Sequence, residues 1–139
     1  MVSKILCVDD NENMGKLYHL ILSEIGLVDY VPSVEEALEK FSQQDYDVVI
    51  SGCNFRRKRT GLTLFEALRG RDRPYRLMFS SDPNLEELNR QVQELGGLGC
   101  VEKLACSYLD QIVGEVVTQG RDSPTLQRYL QERYGDGKK

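Results

Sequence analysis

The sequence predicts an α/β fold in which helices cover both faces of a doubly wound parallel sheet. Short apolar runs alternate along the chain with amphipathic stretches of helical length. Several of the runs consist almost only of Val, Ile, Leu, Met and Cys, as expected for strands that are buried on both faces. With 139 residues and a mass of 15.9 kDa, the chain has the size of one domain.

Five apolar runs have the length and composition of β-strands, and each is followed by a stretch with helical spacing. The clearest of them contains Val48, Val49 and Ile50 in succession. The five predicted strands are Lys4–Val8, Val28–Val31, Asp47–Ser51, Tyr75–Ser80 and Leu98–Glu102.

The first two helices are predicted from their ends as well as from their periodicity. The first covers about Met14–Ile25, and we expect it to end at Gly26, because glycine is favoured just past a helix C-terminus. The second follows Ser33, which forms a capping box with Glu36.

Three more helices follow the later strands. A short one begins after Gly61, and the next ends at the Gly96-Gly97 pair. The fifth carries an apolar stripe, and Ser107 with Asp110 is expected to begin it.

A sixth helical stretch remains near the end of the chain. It begins at Ser123-Pro124 and runs to about Tyr134, with Gly135 just past its end. We therefore expect a domain over residues 1–120 and a C-terminal helical extension over residues 121–139. This helix either packs on its own domain or docks with a partner, which includes a second copy of the chain as a homodimer.

Composition excludes several classes of protein. No apolar run approaches the roughly 20 residues that cross a bilayer, and the first residues do not form a signal peptide. The four cysteines show no Cys-x-x-Cys pairing and His19 has no metal-ligand spacing, which argues against zinc and indicates free thiols. A cytoplasmic location is expected from these features.

The positive charge is concentrated in one part of a chain whose net charge is −4. Eight of the 18 Lys and Arg residues lie in this basic segment, and they are Arg56, Arg57, Lys58, Arg59, Arg69, Arg71, Arg73 and Arg76. They are either solvated loop charges or a surface that binds nucleic acid, another anion or an acidic partner protein. The acidic balance argues against nucleic acid, and too little chain follows Thr118 for a DNA-binding module.

Polar residues follow the predicted strands at their carboxyl ends, where open α/β sheets bind ligands. Asp9-Asp10 follows the first strand, Ser80 ends the fourth, and Lys103 follows the fifth. Two adjacent carboxylates repel one another unless a cation offsets them, so this pair indicates either a Mg²⁺ seat or a partnered lysine. Lys103 and Ser80 supply a positive charge and a hydrogen-bond donor to the same crevice.

These motifs resemble the receiver domain of two-component response regulators over about Lys4–Thr118. The resemblance implies a flavodoxin-like sheet of five parallel strands in the order 2-1-3-4-5. The matching segments are Lys4–Asn11, Tyr46–Ser51, Gly61–Arg69, Leu77–Ser81 and Gly97–Lys103.

The resemblance also implies a chemistry. In that family a histidine kinase phosphorylates an aspartate at the end of the third strand, with Mg²⁺ bound beside it. Carried over, Asp10 is the direct metal ligand and Asp9 the acid behind it. Asn54 supplies a carbonyl oxygen to the metal, Ser80 is the switch hydroxyl, and Lys103 contacts the phosphoryl oxygens.

The sequence departs from that family where the phosphoryl group is accepted. The phospho-acceptor position is Gly52, which has no carboxylate, and the stretch Val48–Phe65 contains no Asp or Glu. Arg56 and Leu104 stand where the family usually has proline, and Cys100 stands at the position of its aromatic switch.

We therefore predict a pseudo-receiver, a non-enzymatic module that acts through protein contacts without aspartyl phosphorylation. Lys103 is expected to pair with Asp9 or Asp10, and these two acids bind Mg²⁺ weakly if at all. The expected partner is a signalling protein, either a histidine kinase or an output protein. An alternative is a receiver that accepts the phosphoryl group on Ser51 or Cys53. Strand alternation, however, points both side chains away from the face used by position 52.

Overall fold

The computed structural model describes residues 2–53 and 61–135. It confirms the doubly wound fold, with one parallel sheet in the order β2-β1-β3-β4-β5. Strands β2 and β5 are therefore the edges of this sheet. The strands are β1 (Ser3–Val8), β2 (Gly26–Val31), β3 (Val48–Ser51), β4 (Tyr75–Ser80) and β5 (Gly99–Glu102).

Six α-helices occur in the described part of the chain, with a 3₁₀ segment on each side of α5. None of the helices in residues 2–53 and 61–135 combines the length and apolar character that crossing a bilayer requires. The helices are α1 (Glu12–Leu22), α2 (Val34–Gln43), α3 (Gly61–Ala67), α4 (Leu85–Glu94), α5 (Leu109–Gln119) and α6 (Pro124–Tyr134), and the 3₁₀ segments are Lys103–Tyr108 and Gly120–Asp122.

The core has two layers because successive strand residues point to opposite faces of the sheet. Val49 and its neighbours on one face pack with the buried residues of α2, α3 and α4. Ile50 and its neighbours on the other face pack with those of α1, α5 and α6. The near-continuous apolar runs arise from this burial on both faces.

The predicted end of the first helix is wrong. Helix α1 ends at Leu22, and Gly26 is the first residue of β2 rather than a helix cap. A Cβ at Gly26 would lie 2.4 Å from the carbonyl oxygen of Ser3 on the paired strand β1. Glycine is therefore required here by the close approach of two backbones.

The two predicted caps have different outcomes. The Oγ of Ser33 accepts the Glu36 N–H at 3.1 Å, which confirms the N-cap of α2. Ser107 does not cap α5, because it lies within the 3₁₀ segment and α5 begins only at Leu109. Tyr108 occupies the N-cap position, and its side chain makes no capping hydrogen bond.

Among the described residues of the basic segment, Arg76 is buried rather than exposed on the surface. It is 1% exposed, and its guanidinium donates to the carbonyl oxygens of Leu68 at 3.1 Å, Arg71 at 2.7 Å and Pro74 at 2.9 Å. Burial, and then the charges of Arg121 and Arg71, lower the pKa of Arg76. Arg76 closes the connection between α3 and β4, while Arg56–Arg59 lies outside the described residues.

Helix α6 packs on the domain that precedes it. Ser123 caps its first turn by accepting the Leu126 N–H at 3.2 Å, as the sequence predicts. Leu126 is fully buried in the core layer formed with α1 and α5. The structure therefore places the C-terminal helix on its own chain, which is the first of the two alternatives.

Glu115 of α5 anchors the beginning of α6. Its carboxylate accepts hydrogen bonds from the Ser123 hydroxyl at 2.7 Å and from the Thr125 N–H and hydroxyl at 2.8 and 2.7 Å. Burial alone would raise the pKa of Glu115, but these hydrogen bonds outweigh it and lower the pKa to about 2. The carboxylate is therefore ionised, and keeps these bonds, throughout the neutral range.

We expect Leu126→Ala to destabilise the whole domain by about 2–5 kcal/mol, because it leaves a cavity in the shared core. Leu104→Ala is the matched control, since Leu104 is 89% exposed, and should change the free energy of unfolding by less than about 0.5 kcal/mol. Urea unfolding of the three proteins measures both effects. Equal stability of the two variants would contradict the shared core.

Candidate functional site

Three of the predicted site residues meet at the carboxyl edge of the sheet. Asp9 directly follows β1, Gly52 follows β3, and Lys103 follows β5. The register pairs Val8 with Ser51, and the Gly52 N–H donates to the Val8 carbonyl at 2.9 Å. Asp9 and Gly52 are therefore neighbours across the ends of two adjacent strands.

An ion pair joins Asp9 to Lys103. The Nζ of Lys103 lies 2.9 Å from Oδ2 of Asp9, and the two side chains are 26% and 4% exposed, respectively. The other carboxylate oxygen of Asp9 accepts the Asn11 N–H at 3.1 Å. A buried carboxylate of this kind is tolerated because it is both paired with a cation and hydrogen-bonded.

Two tyrosines complete the surroundings of Asp9. The hydroxyl of the fully buried Tyr18 donates to Asp9 Oδ2 at 3.3 Å, and the hydroxyl of Tyr30 donates to the Asp9 carbonyl at 2.5 Å. Burial, followed by the nearby charge of Asp9, raises the pKa of Tyr18. Its hydroxyl therefore stays protonated and remains a donor. Gly15 leaves room for the Tyr30 ring, because a Cβ there would lie 2.9 Å from it.

Gly52 faces the carboxylate of Asp9. A Cβ at this position would lie 3.2 Å from Asp9 Oδ2, 3.6 Å from Asp9 Cγ and 3.9 Å from the carbonyl oxygen of Phe79. The backbone of Gly52 is not in the left-handed region, so its conformation does not demand glycine. A side chain at position 52 would therefore be in direct contact with the Asp9 carboxylate.

The remaining predicted site residues have different surroundings or lie outside the described part of the chain. Asp10 is exposed, next in sequence to the buried Asp9. Ser80 is buried, and its Oγ accepts the Asp82 N–H at 3.0 Å, a bond within the turn after β4. Asn54 lies outside the described residues.

The two residues considered as substitute acceptors are both buried. The Ser51 hydroxyl donates to the Gly52 carbonyl at 2.8 Å and is fully enclosed. Cys53 packs in the core layer of α2, α3 and α4, and burial, then the charge of Asp82, raises the pKa of its thiol to about 11. A buried, protonated thiol is a poor nucleophile.

The described part of this site supplies a poor set of ligands for Mg²⁺. Within residues 2–53 and 61–135, no group of three or more His, Cys, Asp or Glu side chains could hold a metal ion. Asp9 is already neutralised by the ammonium of Lys103, and Gly52 has no side-chain oxygen. Mg²⁺ is usually held by one or two carboxylates together with several waters, so Asp9 could act as such a ligand only by exchanging Lys103 for the metal.

The sequence analysis does not identify Tyr18 and Tyr30 as part of the site. One signal was available for Tyr18, which lies on the core-facing side of α1. A tyrosine buried in a core usually has a hydrogen-bond partner for its hydroxyl, so it indicates a buried acceptor nearby. The sequence offers no comparable signal for Tyr30, since the role of Tyr30 depends on how its ring packs against α1.

Lys103→Met should destabilise the protein by about 3 kcal/mol, because it leaves the Asp9 carboxylate buried without its cation. Adding Asp9→Asn to this variant should recover at least about 1 kcal/mol, since the unpaired charge is then removed. Chemical denaturation of both single variants and the double variant measures this coupling. Lys16→Met, on the exposed face of α1, is the control, and strictly additive effects of the two changes would contradict the ion pair.

Comparisons with known proteins give the same fold. The response regulator DrrB of Thermotoga maritima is 20% identical with a TM-score of 0.75, covering 86% of this chain and 54% of its own. The chemotaxis response regulator CheY4 of Vibrio cholerae is 23% identical with a TM-score of 0.66, covering 95% and 98%. A CheY-like receiver domain protein of Methanospirillum hungatei is 19% identical with a TM-score of 0.75, covering 88% and 98%. The chain thus spans about half the length of DrrB and nearly all of the other two.

The comparison with curated protein sequences finds no match. A sequence profile of the response regulator receiver domain matches residues 5–113, which run from within β1 through β5 to the first part of α5. Helix α6 lies beyond the matched residues. The chain belongs to the response regulator receiver domain family of two-component signalling.

Proposed function

We propose that this receiver domain transmits signals through protein contacts and is not phosphorylated on an aspartate. The observation that carries the proposal is the position of Gly52 beside Asp9 at the carboxyl edge of the sheet. The family resemblance puts the phospho-acceptor at this residue, and a glycine offers no atom to accept a phosphoryl group. Burial of Ser51 and Cys53 argues against a substitute on either neighbour.

The charge balance of the pocket supports the same proposal. One buried carboxylate meets one ammonium group at 2.9 Å, so the pair needs no further cation to offset it. Mg²⁺ would have to compete with Lys103 for Asp9, with the adjacent Asp10 as a second acid. Binding of Mg²⁺ is therefore proposed to be weak, and the domain is proposed to catalyse no reaction.

The proposed partner is another protein of a cytoplasmic signalling pathway, either a histidine kinase or an output protein. This follows from membership of the receiver family. Exposed basic residues of the described surface, such as Arg69 and Arg71, would suit an acidic protein surface.

We expect no phosphoryl adduct when the protein is incubated with acetyl phosphate and millimolar Mg²⁺. The intact mass should be unchanged, because position 52 has no carboxylate and its buried neighbours are not reactive. A receiver domain with an intact acceptor aspartate, treated in parallel, shows that the conditions suffice. A stoichiometric adduct on this protein, located by peptide mapping, would refute the proposal.

Gly52→Asp should make the pocket depend on Mg²⁺. The added carboxylate would face Asp9, and two close carboxylates repel unless a cation lies between them. We expect lower stability without Mg²⁺ and, at tenfold the dissociation constant, a gain of about 1.4 kcal/mol from the ion. Thermal unfolding with and without Mg²⁺ measures this, and Gly52→Asn is the uncharged control. An equal Mg²⁺ response from both variants would show that the remaining residues cannot form the site.

A further inference from the structure

Helix α6 covers the open edge of strand β5. An edge strand presents unpaired backbone N–H and C=O groups, and proteins satisfy or cover them. Here the Tyr134 hydroxyl donates to the Cys100 carbonyl at 2.8 Å, and the Cys100 N–H donates to Oδ1 of Asn89 at 2.8 Å. The Glu102 N–H donates to the Tyr129 hydroxyl at 2.9 Å. Side chains thus take the place of a neighbouring strand along this edge.

Two residues of α6 hold the end of β5, next to the pocket. Glu102 is held twice, because its N–H donates to Tyr129 and its carboxylate accepts from Nε of Arg133 at 2.9 Å. The following residue is Lys103, whose ammonium pairs with Asp9. The backbone from which the Lys103 side chain projects is therefore fixed by two residues of α6.

The two halves of α6 are attached differently. Its first turn is anchored through the buried Leu126 and through the hydrogen bonds to Glu115. Its second half is held by the partly buried Tyr129 and Tyr134 together with an ion pair that is open to solvent. The buried residues of α6, Thr125 and Leu126, thus lie in its first half, and its second half is the one that holds Glu102.

Gly99 lets this half lie so close to the strand. A Cβ at Gly99 would lie 2.8 Å from Cδ2 of Leu130 and 2.8 Å from Oδ1 of Asn89. Glycine at the first residue of β5 thus removes the side chain that would push α6 away. The close packing of α6 on β5 therefore depends on a glycine in the strand.

We infer that Tyr129 and Arg133 are positioning residues for Lys103, because by holding Glu102 they fix the backbone from which the Lys103 ammonium reaches Asp9. The inference rests on the proposed function, since it takes Lys103 as the permanent partner of Asp9 in a pocket that receives no phosphoryl group. Coupling of this kind is reciprocal, so a change at Lys103 must also change how firmly α6 holds Glu102.

The test follows the reactivity of the Lys103 amine, which the pair with Asp9 suppresses. We expect Tyr129→Phe and Arg133→Gln each to raise the rate of Lys103 acetylation by acetic anhydride about five-fold, as loss of one hydrogen bond would. The acetylation rate is measured by mass spectrometry of peptides made with a protease that does not cleave at lysine, with the exposed Lys16 as an internal reference. A general loss of stability would also raise the rate at the half-buried Lys4, whose ammonium donates to Gln44 at 2.8 Å, whereas positioning acts on Lys103 in particular.

Each variant has a matched control. Tyr108→Phe removes a hydroxyl from a half-exposed ring that lies 6.5 Å from the Tyr129 ring, and Arg128→Gln removes an exposed charge from the same helix. Both should leave the Lys103 rate within about twofold of the parent. Rates for Tyr129→Phe and Arg133→Gln that stay within this range would overturn the inference.

The reverse direction is measured by amide hydrogen exchange. Lys103→Met should speed exchange of the Glu102 N–H, which Tyr129 protects, and unchanged exchange would count against the coupling. Amide exchange over residues 123–134 also shows whether a Tyr129 or Arg133 variant has released α6 from the domain. If α6 is released and the acetylation rate of Lys103 still equals that of the unaltered protein, the inference is overturned. No phosphodonor is present, so a phosphoryl adduct found in the separate mass experiment would refute the proposed function and leave these results interpretable.

Discussion

The buried carboxylate of Asp9 is the constraint on which the pocket depends. A charge in this position is costly unless it is paired and hydrogen-bonded, and its donors come from different parts of the chain. Lys103 follows β5, Tyr18 belongs to α1, and Tyr30 of β2 holds the backbone of the same residue. The hydrogen bonds to this one residue therefore fix the relative positions of β5, α1 and β2 at the carboxyl edge of the sheet.

The glycine beside Asp9 determines the charge balance of the pocket. Because position 52 carries no side chain, the pocket holds one buried carboxylate and one ammonium, and their charges cancel. A second carboxylate would create an excess of negative charge that only a cation could offset. The missing side chain thus changes the electrostatics of the site as well as its reactivity, and the fold tolerates the change because the backbone there is an ordinary one.

Features that depend on local pattern could be predicted from the sequence, and features that depend on distant neighbours could not. The apolar runs predict the strands, and the polar residues at their ends predict the meeting of Asp9 with Lys103. The role of Gly26 is set by the backbone of Ser3, and that of Arg76 by three carbonyls of the preceding loop. Tyr30 contacts Asp9 only because its ring crosses α1 at Gly15. No periodicity in the sequence records such contacts.

A two-state element responds to a ligand only as far as the ligand binds the two states with different affinity. In the proposed function position 52 accepts no phosphoryl group, so a change in the pocket would have to come through the residues that hold Asp9 and Lys103. Tyr129 and Arg133 of α6 are two such residues, because they hold the residue before Lys103.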